Sequence, residues 1–282
     1  MSFSAEVRDE LARCEPKCEY CDLATLAALV RVCGTLSFAG PGRYRLQIAT
    51  ETGAVARTMI GLTHKILKLK TEFTVRKSVL HKVRNYLIAL PDQPDLGKAL
   101  VLLGILDRHG ALVRGVPHHV VARDCCRLAY IRGALIAGGF VADPKGDFHL
   151  EIAVQGEEFA RGLAGLIGEL GINARVNPRR ASFAVYIKSA DDIKKLLTLA
   201  GATRCVAEIE EARAVKSVKN EVNRRVNAEL ANQTRSAGAA QRQMELIGEL
   251  EHLGLREGLP QALEDFCLLR EANPDLSLRD LG

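Results

Sequence analysis

The chain contains two similar stretches, Leu26-Ala-Ala-Leu-Val-Arg-Val-Cys-Gly34 and Ile131-Arg-Gly-Ala-Leu-Ile-Ala-Gly-Gly139. Each is an apolar run rich in small residues that closes on glycine, the residue that commonly ends a helix. Two helices of this unusual composition in one chain indicate an internal repeat.

Further matches follow the two helices in the same order. Leu46-Gln-Ile-Ala49 matches Leu150-Glu-Ile-Ala153, and the helix-like segment 95–104 matches 192–201. Self-similarity that keeps its order along the chain is the sign of a duplicated unit. We therefore place one copy at about 22–106 and the other at 124–201.

Within each copy the apolar spacing alternates between the helical and the strand period. The order of elements is αββαββα in both copies, so we expect an α+β fold. The predicted domains are 1–206, which contains both repeats, and 207–282, which is entirely helical.

Overall composition permits several functions and excludes a few. The 282-residue chain carries a formal charge of +5, which allows a nucleic-acid partner without requiring one. The longest apolar run, 99–106, is too short to span a bilayer. We expect a cytoplasmic protein that has no membrane partner and whose cysteines stay reduced.

Three cysteines near the start, Cys14, Cys18 and Cys21, have the C-x3-C-x2-C spacing of radical S-adenosylmethionine enzymes. The segments on either side, 4–13 and 22–32, have helical patterns, and no strand leads into the cysteines as an α/β barrel would require. A zinc site would need a fourth ligand, and none lies nearby in sequence. We therefore interpret the segment as a turn between helices and expect neither metal nor cofactor.

A long basic helix is predicted over 208–253, with a possible break at 236–238. Asn220, Asn223 and Asn227 recur on one helical face, although asparagine is a poor helix former. Their amides could contact adenine edges or phosphates, or could instead bond to backbone at a domain junction. The DNA-contacting residues expected in this helix are Lys216, Lys219, Asn220, Asn223, Arg224, Arg225, Asn227, Asn232 and Arg235.

Cations also lie on the predicted strands, among them Arg43, Arg45, Arg179 and Lys188. A solvated sheet face would carry such residues. So would a curved sheet that lies along a phosphate backbone. The sequence leaves both alternatives open.

The last segment has the pattern of a helix-turn-helix domain. A helix over 259–270 is followed by a turn at 272–275 and by Ser277-Leu-Arg-Asp-Leu-Gly282. Ser277 is the expected cap of a positioning helix, Gly282 the expected turn, and Ser277 and Arg279 are candidate DNA contacts. The recognition helix would come next, so we expect a truncated domain.

A tandem αββαββα unit that opens on such helices resembles the LAGLIDADG homing endonucleases. The resemblance implies a pseudo-two-fold saddle in which the motif helices pack through their small residues. It also implies a carboxylate just before the final glycine of each helix, holding Mg2+ beside the scissile phosphates. Cys33 and Gly138 occupy those positions here, and neither offers the hard oxygen that Mg2+ requires. We therefore expect a nuclease scaffold that is not an enzyme.

The whole chain is similar to the WhiA family of bacterial regulators, in which a degenerate LAGLIDADG domain precedes a helix-turn-helix. The most specific segments are 124–139, 148–152, 220–232 and 273–282. The resemblance implies a nucleoid-associated transcription factor tied to sporulation, cell division and chromosome segregation. Its implied partners are double-stranded promoter DNA and RNA polymerase or another regulator.

Two alternative functions remain open at this point. One is residual endonuclease activity, against which Cys33 and Gly138 weigh. The other is a protein-interaction platform, in which the repeats contact polymerase or another regulator and DNA is left to the C-terminal part.

Overall fold

The structure is a computed structural model that describes residues 2–40, 42–77 and 84–281. It divides into two compact units, Met1–Arg213 and Ala214–Gly282. Over the described ranges, no helix has both the length and the apolar character needed to cross a membrane.

The first repeat follows a short N-terminal helix and forms an antiparallel sheet of four strands in the order β1-β2-β4-β3. The N-terminal helix is α1 (Phe3–Leu11). The elements of the repeat are α2 (Cys21–Cys33), β1 (Gly34–Gly40), β2 (Arg43–Thr50), α3 (Gly53–Leu62), a π-helical turn (Thr63–Leu67), β3 (Glu72–Lys77), β4 (Arg84–Leu90) and α4 (Leu96–Leu102).

The second repeat has the same order of helices and strands, and its sheet runs β5-β6-β8-β7. Its elements are α5 (Asp124–Gly138), β5 (Gly139–Val141), β6 (Leu150–Val154), α6 (Glu157–Gly168), β7 (Arg175–Pro178), β8 (Phe183–Ile187) and α7 (Ala190–Ala200). The equivalent strand orders confirm the predicted pair of αββαββα repeats.

Helices α2 and α5 pack directly against each other at the centre of the first unit. A Cβ atom on Gly133 would lie 2.5 Å from the carbonyl oxygen of Thr25 and 2.9 Å from the Cβ of Ala28. The hydroxyl of Thr25 donates to the carbonyl of Ala129 on the other helix, at 3.2 Å. Thr25, Ala28, Ala129 and Gly133 form this contact, the seam between α2 and α5. Small residues are needed on the seam because larger ones would separate the helices.

The second unit is helical, as predicted. Its elements are α8 (Thr203–His252, which begins in the first unit), a 3-10 turn (Arg256–Gly258), α9 (Gln261–Ala272) and α10 (Leu278–Leu281). The prediction of a possible break at 236–238 was wrong, because α8 continues through Gly238. A glycine costs only about 1 kcal/mol inside a helix, which a long cooperative helix can absorb.

A buried arginine holds the end of the second unit together. Arg270 is 1% exposed, and it donates to the side chain of Gln243 (3.0 Å) and to the carbonyls of Asn273 (3.3 Å) and Leu276 (2.5 Å). These bonds link α8, α9 and the loop that precedes α10.

The seam between α2 and α5 should tolerate no side chain at Gly133. Gly133→Ala forces the helices apart, so we expect the free energy of unfolding to fall by about 1–3 kcal/mol. Urea-induced unfolding measures this change.

Gly165→Ala is the matched control, because a Cβ there would meet no atom within 4 Å. Alanine favours helix over glycine, so this variant should be as stable as the parent or gain up to about 1 kcal/mol. Equal effects of the two substitutions would contradict the close packing at Gly133.

Candidate functional site

Cys33 and Gly138, the positions where the resemblance implies carboxylates, lie at the C-terminal ends of the motif helices. Cys33 is the last residue of α2, and its thiol donates to the carbonyl of Leu29 at 3.0 Å. Burial raises the pKa of the Cys33 thiol to about 12. A protonated thiol that already donates its hydrogen is a poor ligand for a hard cation.

Gly138, the last residue of α5, has no room for a side chain. A Cβ there would lie 2.6 Å from the carbonyl oxygen of Ala153 and 2.7 Å from Cγ1 of Val32. The position is therefore closed to a carboxylate unless the backbone moves.

A cation occupies the same end of α5. Nε of Arg8, on α1, donates to the carbonyl of Gly139 at 2.9 Å, and one Nη donates to the hydroxyl of Thr52 at 3.1 Å. Burial lowers the pKa of Arg8, but a guanidinium stays charged at neutral pH. This fixed positive charge complements the negative end of the helix dipole and opposes a divalent cation.

The opposite, N-terminal ends of the same helices bring cysteines together. Cys18 and Cys21 of the first repeat lie beside Cys125 and Cys126 of the second, with all four sulfur atoms within 4.8 Å of one another. No fourth ligand lies nearby in sequence, but the folded chain brings two further thiols, those of the second repeat, next to Cys18 and Cys21. Within the described ranges, this is the one group of three or more candidate metal-binding side chains.

Cys14, the first cysteine of the C-x3-C-x2-C motif, is not part of that group. Its sulfur lies 3.8 and 3.5 Å from the carbonyls of Ala200 and Gly201. The motif therefore does not present its three thiols to one cluster.

Several cations on the sheets are paired with acids. Arg43 pairs with Asp92 at 2.6 Å and Arg45 with Glu72 at 3.9 Å. Arg179, which the sequence placed on a strand, directly follows β7 and pairs with Glu151 of β6 at 2.5 Å. Neighbouring acids therefore neutralise these three cations at the protein surface.

The basic part of α8 presents its polar side chains to solvent. The exposed members of the predicted set are Lys219, Asn220, Asn223, Arg224, Arg225, Asn227, Asn232 and Arg235, whereas Lys216 is half-buried. Arg235 donates to the side chain of Asn232 at 2.6 Å. Exposed amides and guanidinium groups on one helix are suited to contact phosphates and base edges.

Ser277 and Arg279 lie at the last described helix. The carbonyl of Ser277 accepts from the backbone N–H groups of Asp280 and Leu281, while its hydroxyl donates to the carboxylate of Asp280 at 2.6 Å. Ser277 thus directly precedes α10, in the position of the predicted cap, and its hydroxyl bonds to the side chain of Asp280. Arg279 is exposed, and Gly282 lies outside the described residues.

Sequence reasoning missed Arg8, Cys125 and Cys126. No local sequence pattern points to Arg8, because its contact with Gly139 joins residues 131 positions apart. The cysteine pair did give one, because it lies at the start of the second motif helix, as Cys21 lies at the start of the first.

Family models match three segments that together cover most of the chain. Residues 19–106 match the WhiA N-terminal LAGLIDADG-like domain, 127–219 the WhiA LAGLIDADG-like domain, and 222–282 the WhiA C-terminal HTH domain.

Curated relatives are similar over the whole chain. "Probable cell division protein WhiA" of Desulfitobacterium hafniense (strain Y51) is 39% identical, over 100% of this chain and 88% of the relative. The protein of the same name from Symbiobacterium thermophilum is 40% identical, over 100% of this chain and 90% of the relative.

Two solved structures are also similar. The full-length DUF199/WhiA from Thermatoga maritima superimposes with a TM-score of 0.65 at 26% identity, covering 100% of this chain and 90% of that one. The N-terminal LAGLIDADG domain of DUF199/WhiA matches with a TM-score of 0.56 at 22% identity, over 71% of this chain and 90% of that one, a likeness of fold.

Arg8 should stabilise the C-terminal end of α5. Arg8→Gln removes a charged donor from the carbonyl of Gly139, so we expect unfolding to become easier by about 1.5–3 kcal/mol. Arg57→Gln removes the same charge from an exposed pair with Asp9 at 3.6 Å and should change stability by less than about 0.5 kcal/mol. Thermal unfolding of both variants tests this, and equal losses would argue against Arg8 as a specific brace.

Proposed function

The chain belongs to the WhiA family, and from that premise we propose that it is a DNA-binding transcriptional regulator built on a nuclease scaffold that no longer cuts DNA. The observation that carries the proposal is the match of residues 222–282 to a helix-turn-helix domain. Such domains hold DNA by inserting a helix into the major groove.

Helix α8 adds phosphate contacts in this proposal. Its segment 216–235 combines exposed lysine, arginine and asparagine side chains. Contacts of this kind position a protein on the duplex without specifying sequence. Recognition of particular bases then falls to the helix-turn-helix, where Ser277 and Arg279 are our candidates.

Three features support the loss of cleavage. Cys33 is a half-buried, protonated thiol, Gly138 has no space for a carboxylate, and Arg8 places a cation at the end of α5. Hydrolysis of a phosphodiester at this place would need a divalent ion to activate water and stabilise the leaving oxygen. The side chains at these helix ends are unsuited to hold one.

The regulated process in this proposal is cell division, the process named in the relatives' descriptions. Sporulation and chromosome segregation are added because the family resemblance implies them, and the site of action would be the nucleoid.

Contact with RNA polymerase or another regulator is a second proposed role, supported by an exposed apolar stripe on α8. Valines and a leucine recur every three or four residues along one side of the helix and are 47–64% exposed. They are Val215, Val218, Val222, Val226 and Leu230. A stripe with this spacing is typical of a helix that packs against a partner.

Phosphate contacts by α8 predict a steep dependence of DNA affinity on salt. Each neutralised phosphate contributes about −0.9 to the slope of log affinity against log salt, so Arg224→Ala with Arg225→Ala should reduce the slope by about two. Fluorescence anisotropy with a labelled duplex over a range of salt measures it.

Lys98→Ala with Arg161→Ala is the matched control. It removes the same charge from surface residues of the first unit that are already paired, with Asp95 and Glu157 respectively. The control should keep the parental slope. If both double variants lose slope equally, the effect is one of net charge, and the assignment to α8 fails.

A degenerate catalytic centre predicts no metal-dependent cleavage. We expect a supercoiled plasmid that carries DNA bound by the protein to stay intact in Mg2+ or Mn2+, as judged by gel electrophoresis. Nicking that follows the pure protein through chromatography and requires the metal would contradict the proposal.

A further inference from the structure

The four-cysteine cluster lies at the end of the motif helices farthest from Cys33 and Gly138. Cys18 and Cys21 form the turn that enters α2, where the backbone N–H of Cys21 donates to the carbonyl of Cys18 at 3.1 Å. Cys125 and Cys126 belong to the first turn of α5. Each repeat therefore contributes one pair of thiols.

The sulfur atoms have the spacing of ligands that share one ion. Cys18 lies 3.4 Å from Cys21, 3.7 Å from Cys126 and 3.4 Å from Cys125, and all four sulfurs fall within 4.8 Å of one another. A tetrahedral zinc ion with Zn–S bonds of about 2.3 Å separates its sulfurs by about 3.8 Å. Small adjustments of the side chains would bring the four thiols to that geometry.

We propose that Cys18, Cys21, Cys125 and Cys126 bind one structural zinc ion. Four protein thiolates fill the tetrahedral shell and leave no open position for water, which is the pattern of a structural site and not of a catalytic one. The ion would join the N-terminal ends of α2 and α5, and through them the two repeats. Binding releases the thiol protons and leaves a site with a net charge of about −2.

The surroundings suit that negative charge. The site lies at the N-termini of two helices, where the dipoles and free backbone N–H groups stabilise thiolates. The guanidinium of Arg123 lies over the ring of Tyr20, 4.4 Å from its centroid, and Tyr20 directly precedes Cys21 in the chain. A cation is thus held next to one of the ligands.

The exposure of the four cysteines is also suited to a site that a zinc ion can enter from solvent. Cys21 and Cys126 are each 2% exposed, whereas Cys18 and Cys125 are half-buried. Two ligands therefore anchor the ion in the protein and two face its route of entry. Cysteines used only as small apolar side chains would have no need to converge on a common point.

The spacing also separates zinc from the alternatives. The ligands of a [4Fe–4S] cluster bind four different irons, so their sulfurs lie farther apart than sulfurs on a single ion. A disulfide requires a separation of about 2.05 Å, and all four cysteines are free. Of the metals that take four thiolates in a tetrahedron, zinc needs no redox partner.

The test is the metal content of the full chain, produced without a polyhistidine tag and purified under reductant without chelator. Inductively coupled plasma mass spectrometry should find one zinc ion per chain. After zinc is removed, Co2+ should restore one equivalent with the visible absorption of a cobalt tetrathiolate, and either metal should raise the Tm above that of the metal-free chain.

Ligand variants make the test specific to these residues. Cys18→Ser and Cys125→Ser, one from each repeat, should each lower the affinity for zinc at least about tenfold in competition with a chelator, since even outer-shell changes cost about 10- to 100-fold in affinity. Cys14→Ser is the matched control from the same short segment and should keep its zinc, because Cys14 is directed at Ala200 and Gly201.

Several results would overturn the proposal. They are a folded parent chain that contains no stoichiometric metal and gives no cobalt spectrum, a Cys14→Ser variant that loses metal as the ligand variants do, and iron in place of zinc. Circular dichroism shows whether each variant is folded. The cobalt titration of the parent chain decides the question even if both ligand variants fail to fold.

Discussion

The close approach of α2 and α5 holds the two repeats of the first unit together. With no side chain at Gly133, the backbone of one helix reaches the backbone of the other, and Thr25 bonds across the seam. Because each helix leads directly into the sheet of its own repeat, the seam also fixes the two repeats relative to each other. A larger residue on the seam would disturb both ends of the helix pair at once.

Those two ends have diverged in chemistry. The C-terminal end carries a thiol at Cys33 and no side chain at Gly138, is closed at Gly138 and is braced by the guanidinium of Arg8. At the N-terminal end, thiols from both repeats come within reach of a single ion. The resemblance to the LAGLIDADG homing endonucleases implies a divalent metal at the first end. We propose instead that this chain binds a structural ion at the second end, so that the scaffold is kept while its chemistry is lost.

The chain's repeat architecture could be predicted from sequence because it follows from local patterns: two glycine-closed helices and a matching order of strands. The residues at the expected carboxylate positions, Cys33 and Gly138, could be identified for the same reason, because each directly precedes the final glycine of its helix. Arg8 could not be predicted, because only folding brings it to Gly139. The cysteine cluster needed the tertiary contact as well, since Cys18 and Cys125 are 107 positions apart. The glycine at 238 suggested a break in α8 because glycine is a poor helix former. The helix continues through it because α8 is long, and the local sequence around Gly238 does not show that length.

The most direct test of the divergence between the two helix ends is anomalous diffraction from crystals of the full chain grown with zinc and soaked in Mn2+. We predict a zinc peak among Cys18, Cys21, Cys125 and Cys126 and no manganese peak between Cys33 and Gly138. Manganese bound between those helix ends would contradict the proposal that they are unsuited to hold a divalent metal.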